Sequence, residues 1–110
     1  MKFFIAAPFG NYLKFKSHSN ILPVTGTWTL EYRSGHIGRI MRLIKTMRYD
    51  KKRKGWKNKL GLPNEGIKKG LKKIQPNEIL SIAAIEDNDF KKLFDQIPEN
   101  QSIEINFSCP

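Results

Sequence analysis

The residues best suited to chemistry in this 110-residue chain are Asn106, Ser108 and Cys109, which supply an amide, a hydroxyl and the only thiol. Residues 103–107 alternate apolar and polar side chains, and this period predicts a β-strand that carries these groups to its carboxyl end. In α/β sheets and barrels, ligands and catalytic groups gather at that end of the strands. The position therefore indicates an active site, although by position alone Cys109 is equally compatible with an unreactive thiol.

The elements that must position these groups alternate along the chain. Apolar runs predict strands at residues 3–7, 21–25 and 79–85, and residues 27–32 are also β-prone. Helical periodicity predicts three helices. The first has a buried apolar stripe over residues 37–47 and ends near residues 49–50, the second is capped by Asn64, and the third begins after residues 87–89. Residues 50–55 are predicted to form a charged loop. Alternation of this kind predicts an α/β fold with a mainly parallel sheet.

Length and composition set further bounds. A chain of 110 residues with 39% hydrophobic side chains suits one domain with a modest core. No apolar run approaches the roughly 18 residues of a membrane span, and a single cysteine favours a reducing, cytoplasmic setting. His18 and His36 have no second histidine or acid at ligand spacing, so no metal site is predicted.

The net charge of +10 is concentrated in one block. Residues 39–73 contain fourteen of the twenty basic residues and only two acidic ones, for a local charge of +12. Such a block attracts nucleic acid, an anionic membrane or a phosphorylated ligand, or it forms a solvated surface. Base-stacking aromatic residues are sparse around it, and Trp28 and Trp56 are expected to pack within the fold, so the solvated surface is favoured.

Five segments together resemble the class 1 dihydroorotate dehydrogenases and the dehydrogenase-like flavoproteins related to them. They follow the family order and read Ala-Pro-Phe-Gly-Asn at 7–11, Pro-Val-Thr-Gly-Thr-Trp-Thr-Leu-Glu-Tyr-Arg at 23–33, Asn-Lys-Leu-Gly-Leu-Pro-Asn-Glu-Gly at 58–66, Leu-Ser-Ile-Ala-Ala at 80–84 and Glu-Ile-Asn-Phe-Ser-Cys-Pro at 104–110. The resemblance implies a (β/α)8 TIM barrel that binds FMN. This chain would be its amino-terminal half, a single partial domain over residues 1–110 with strands one to four.

The resemblance also implies roles for individual residues. Cys109 would be the catalytic base that removes a proton from a pyrimidine-type substrate while a hydride passes to FMN. Asn106 would contact both flavin and substrate, and Thr25 and Gly26 would lie beside the flavin. The remaining substrate contacts would come from the Asn58 side chain and from the turn that follows it, through Leu60, Gly61 and Leu62.

Three features set this chain apart from the family. Gly26 stands where the family has a flavin-adjacent lysine, and residues 12–14 read Tyr-Leu-Lys where the family has Ala-Ser-Gly close to the flavin. Both changes leave the exact substrate open. The later flavin lysine and phosphate-binding turns would follow residue 110, so we expect the rest of the barrel on another chain, or a partial gene. We expect the 110 residues alone to bind FMN weakly and to associate with themselves or a partner.

A second interpretation, from a different functional class, remains open at this stage. The chain would be a small basic module without redox activity that uses the block at residues 39–73 to bind nucleic acid or another polyanion. Salt-sensitive retention on a polyanion would favour this interpretation, and bound flavin would favour the enzyme.

Overall fold

The computed structural model of the chain describes residues 1–7, 9–11, 19–35, 39–57 and 61–107. Within them lie strands β1 (Phe3–Ile5), β2 (Ile21–Trp28), β3 (Arg48–Asp50), β4 (Gly55–Lys57), β5 (Ile79–Ile82) and β6 (Ile103–Ile105). The helices are α1 (Arg39–Thr46), α2 (Ile67–Lys73) and α3 (Asp89–Phe94), with a 3-10 turn at Phe9–Asn11.

Four of these strands form a curled parallel sheet in the order β1-β2-β5-β6. Their spatial order is their chain order, whereas a doubly wound sheet reverses its order at a switch point. The fold is therefore mixed α/β with a curled parallel sheet, consistent with part of an α/β barrel, and the expected βα alternation and mainly parallel sheet are confirmed.

The core lies between one face of this sheet and helices α2 and α3. Leu80 and Ile82 of β5 are fully buried against Ile67 of α2 and Leu93 of α3. The apolar stripes predicted for both helices supply much of the surrounding layer, which consists of Trp28, Leu30, Leu71, Ile74, Phe90 and Ile97. Since side chains alternate along a strand, Ser81 of β5 points to the opposite face of the sheet, which we call the polar face.

Helix α2 approaches the sheet closely because Gly70 has no side chain. A Cβ atom at Gly70 would lie 2.6 Å from Cδ2 of the Trp28 indole, well inside van der Waals contact. The glycine thus lets the helix pack directly on the indole ring at the end of β2.

Gly70→Ala is expected to destabilise the protein by up to about 2 kcal/mol, because overpacking costs about 1–3 kcal/mol and the gain in helix propensity returns only about 1 kcal/mol. The measurement is the free energy of unfolding in urea. Lys72→Ala, an exposed substitution on the same helix, is the control and should change stability little. A Gly70→Ala protein more stable than the wild type would contradict the packing argument.

The chain between α1 and α2 differs from the sequence prediction. Residues 48–57 form an antiparallel hairpin of β3 and β4, where the prediction had the end of a helix and a charged loop. Asp50 organises the turn, since its Oδ1 accepts hydrogen bonds from the backbone N–H groups of Lys52 and Arg53 at 3.1 and 3.3 Å. This local side-chain bonding competes with helix formation at aspartate.

The prediction that the apolar stripe of residues 37–47 is buried is wrong where the structure describes those side chains. Met41 and Ile44 on α1 are 60% and 66% exposed. Helical spacing predicts which residues share a face, but it does not say whether another layer covers that face. None of the helices in the described ranges has the length and apolarity that a membrane span requires.

Candidate active site

A chain of hydrogen bonds crosses the polar face near the carboxyl ends of three parallel strands. The amide nitrogen of Asn106, just after β6, lies 2.9 Å from the hydroxyl of Thr27 on β2. The Thr27 hydroxyl lies 3.0 Å from that of Ser81 on β5, and Ser81 donates to Oε1 of Glu104 on β6 at 2.8 Å. We call these four residues the polar cluster.

The direction of every bond in the polar cluster follows from one assignment. Ser81 has a single hydroxyl hydrogen, which it donates to Glu104, so it must accept a hydrogen from Thr27. The Thr27 hydroxyl has then used its hydrogen and accepts one from Asn106. The cluster therefore fixes the Asn106 amide with its nitrogen towards β2.

Burial changes along the polar cluster. Ser81 is fully buried and Thr27 is 8% exposed, whereas Asn106 is half-buried and Glu104 is exposed. Buried hydroxyl groups are costly unless they are hydrogen-bonded, and both hydroxyls here have partners. The cluster thus joins the interior of the sheet to a surface that a ligand can reach through Asn106.

Asn106 is placed by the backbone as well as by its side chain. Its N–H donates to the carbonyl of Ile82 at 2.8 Å, which continues the β5–β6 pairing one step past the end of β6. The predicted strands at 79–85 and 103–107 are correspondingly shorter in the structure, ending at Ile82 and Ile105. Asn106 is therefore the first residue beyond the strand and lies at the carboxyl end of the sheet.

A side-chain amide also clamps the backbone of Gly26. Asn11 donates from Nδ2 to the Gly26 carbonyl at 2.7 Å and accepts from the Gly26 N–H at 2.8 Å. Next to it, a Cβ at Gly10 would lie 2.2 Å from the Val24 carbonyl oxygen, so the turn at Phe9–Asn11 packs directly on β2. The first two sequence segments of the resemblance are thus in contact.

The two residues expected beside a flavin on β2 are both buried. Gly26 has φ of +123°, and a Cβ there would lie 2.5 Å from the Ser81 carbonyl oxygen and 2.9 Å from Cδ1 of Trp28. The hydroxyl of Thr25 lies 3.5 Å from the Ile79 carbonyl oxygen on β5. Gly26 is consequently required by the backbone, and no side chain is accommodated at that position.

Asn64 ties the turn at residues 61–66 to the chain after β2. Its Oδ1 accepts from the N–H groups of Gly66 at 2.8 Å and Thr29 at 3.2 Å. Its Nδ2 donates to the Thr29 hydroxyl at 2.9 Å and to the Leu62 carbonyl at 2.7 Å. The prediction that Asn64 caps the helix is wrong: α2 begins at Ile67 with Gly66 as its cap, and Asn64 is instead a buried connector.

The predicted substrate-contacting turn is described only in part. Gly61 is exposed with φ of +69°, and Leu62 is half-buried, with its carbonyl held by Asn64. Because Thr29 lies two residues beyond Thr27, Asn64 brings this turn to the same end of β2 as the polar cluster. The other predicted site residues, Asn58, Leu60 and Cys109, lie outside the described residues.

Sequence reasoning missed three members of the polar cluster, namely Thr27, Ser81 and Glu104. The signal for Ser81 was a single hydroxyl within an otherwise apolar strand, because a buried polar group needs a partner. Glu104 occupies an ordinary polar position in an alternating strand. Only the register Ser81↔Glu104 places its carboxylate beside a hydroxyl.

Two further observations bear on this site. Among the described residues, no group of three or more His, Cys, Asp or Glu side chains is arranged to hold a metal ion. In comparisons with known proteins, no family model, curated protein or solved structure matches the chain.

Proposed function

We propose that this chain carries part of the active site of an FMN-dependent oxidoreductase of the dihydroorotate dehydrogenase type. Its donor would be the CH–CH bond of a pyrimidine-type substrate. The proposal rests on the sequence resemblance and on the geometry of the polar cluster. It also assigns the curled parallel sheet to a TIM barrel.

One observation carries the proposal. The bond from Asn106 to Thr27 joins two segments of the resemblance that are 79 residues apart in sequence. Val-Thr-Gly-Thr on β2 and Asn-Phe-Ser-Cys-Pro after β6 would both face the flavin in the family. The contact between Thr27 and Asn106 at the carboxyl end of a parallel sheet is the arrangement that such a site needs.

The residues of the polar face fit a neutral flavin ring better than a flavin phosphate. Asn106 presents a neutral amide, which would hold a ring through hydrogen bonds without adding charge that shifts its potential, and Thr27 orients that amide. Gly26 supplies no cation. Asn106 would therefore hold the ring beside Thr25 and Gly26, and bound FMN would supply the hydride acceptor.

The remaining roles are those that the resemblance implies for individual residues. Cys109, three residues beyond Asn106, would take the substrate proton, since a thiol with a pKa of about 8.5 acts as a base near neutral pH once its thiolate is modestly favoured. Asn58 and the turn through Leu60, Gly61 and Leu62 would orient the substrate by amide hydrogen bonds.

A complete barrel would need more strands than this sheet contains. A TIM barrel has eight parallel strands, and the sheet described here has four, with β1 and β6 at its edges. We propose that the strands that complete the barrel, with a phosphate site for FMN, lie outside these 110 residues. The cytoplasm is the proposed location, because a reducing setting keeps the catalytic thiol free.

The experiment is to express the tagged chain in its native cells, isolate it with its associated polypeptides, and measure the FMN released on denaturation. We expect stoichiometric FMN in this preparation and little in the 110-residue chain produced alone. Asn106→Ala should weaken FMN retention by about tenfold, the equivalent of one hydrogen bond of about 1.4 kcal/mol.

Gln96→Ala is the matched control, because Gln96 is also an amide but bonds to the Lys92 carbonyl of α3. It should leave FMN content unchanged. A folded native preparation without flavin, or equal FMN content in the Asn106→Ala and Gln96→Ala proteins, would contradict the proposal.

A further inference from the structure

The hairpin at residues 48–57 combines high charge with exposed aromatic rings. It contains six basic residues and one acidic residue, for a net charge of +5 over ten positions. The register pairs Tyr49 with Trp56, so both rings lie on one face of the two-stranded ribbon. Arg48, Asp50 and Lys57 lie on the other face.

The two rings contact each other and leave much of their surface open. Their centroids are 5.4 Å apart with an angle of 64° between the planes, an edge-on arrangement. Trp56 is 70% exposed and Tyr49 is 50% exposed. The expectation that Trp56 packs within the fold is therefore wrong, and its indole is open to a planar partner.

Asp50, the acidic residue of the hairpin, is hydrogen-bonded to other residues of the hairpin. Oδ2 of Asp50 lies 3.0 Å from Nζ of Lys57, and its Oδ1 accepts from the backbone of the turn. The Lys57 hydrogen bond, followed by that of the Arg53 backbone, holds the pKa of Asp50 below its ordinary value. The exposed turn residues Lys51–Lys54 are thus left as a positive tip beside the aromatic face.

We propose that this hairpin binds single-stranded nucleic acid, with an unpaired base stacked on Trp56 and phosphates held by the turn lysines. Proteins that bind single strands combine a basic track with aromatic rings that accept a base of any sequence. A membrane is less well matched, because the hairpin has no aliphatic side chain to bury among acyl chains. This inference does not depend on flavin chemistry.

The test is titration of the whole chain into a labelled oligothymidylate and a labelled oligouridylate, with the dissociation constant measured at several salt concentrations. Trp56→Leu keeps an apolar side chain but removes the stacking ring, and we expect it to weaken binding by about tenfold or more. Trp56→Phe, which keeps a ring, should lose less. Circular dichroism should be the same for all three proteins.

A second pair of variants isolates the phosphate contacts. Lys52→Ala/Lys54→Ala should make the slope of log affinity against log salt shallower by about 1.4, since each phosphate contact with a single strand contributes about 0.7. Lys68→Ala/Lys72→Ala makes the same charge change on exposed positions of α2 and should leave the slope unchanged.

Two outcomes would overturn the inference. The first is equal affinity of the wild-type and Trp56→Leu proteins for the oligonucleotides. The second is the absence of oligonucleotide binding at low salt; phosphatidylserine vesicle binding that Lys52→Ala/Lys54→Ala weakens would then assign the hairpin to a membrane surface. Loss of nucleic-acid binding would leave the FMN measurement unaffected, so the two proposals fail separately.

Discussion

Gly26→Lys is expected to destabilise the protein by about 3 kcal/mol or more and to add no flavin contact. The substitution introduces the lysine that the flavoproteins resembled by this sequence have at this position. However, φ of +123° costs a side-chain-bearing residue about 1–3 kcal/mol, and a Cβ 2.5 Å from the Ser81 carbonyl oxygen adds a comparable overpacking cost. The free energy of unfolding in urea measures this loss.

Gly26→Ala separates the cost of the Cβ atom from any effect of the lysine charge. Alanine introduces the same Cβ without a charge, so it should be nearly as destabilising as lysine. Gly55→Ala is the control, because the nearest atom to a Cβ there is the Arg53 carbonyl oxygen at an ordinary 3.7 Å. A stable Gly26→Lys protein with tighter FMN binding would show that β2 accommodates the family lysine.

Asn64→Ala is expected to cost about 3 kcal/mol or more of stability. The substitution leaves the N–H groups of Gly66 and Thr29 and the carbonyl of Leu62 without the partner they share. Each buried polar group left unsatisfied costs about 1–3 kcal/mol. The free energy of unfolding in urea measures the total loss of stability.

Asn64→Asp is the informative comparison for this network. Aspartate keeps an acceptor for Gly66 and Thr29 but removes the amide donor to Leu62. A carboxylate oxygen would then face the Leu62 carbonyl oxygen in a buried site, so the cost should equal or exceed that of Asn64→Ala. A loss below about 1 kcal/mol for Asn64→Ala would contradict the role of Asn64 as a connector between β2 and the turn before α2.

The sheet and its helices were predictable because their signals are local. Ile67, Leu71 and Ile74 recur at helical spacing, and the apolar run from Ile79 is typical of a buried strand. The hairpin was missed because its strands have three residues each, and its turn depends on side-chain bonds from Asp50 that no hydrophobic pattern records.

Of the polar cluster, only Asn106 was predicted from the sequence. Asn106 was identified from its place after an alternating strand, but its partner Thr27 is 79 residues away and depends on strand order. Asn64 was assigned to a helix cap because asparagine favours such positions. The structure gives it a buried role that requires Thr29 beside it, a contact set by tertiary packing.

The most direct test of an oxidoreductase site in this chain is anaerobic addition of dihydroorotate, and then of related dihydropyrimidines, to the native flavin-containing preparation. We expect the flavin absorbance to bleach as the substrate is oxidised. Cys109→Ala should keep the bound flavin and abolish the bleaching. A flavin that no dihydropyrimidine reduces, or bleaching at an unchanged rate in the Cys109→Ala protein, would contradict the proposed oxidoreductase site.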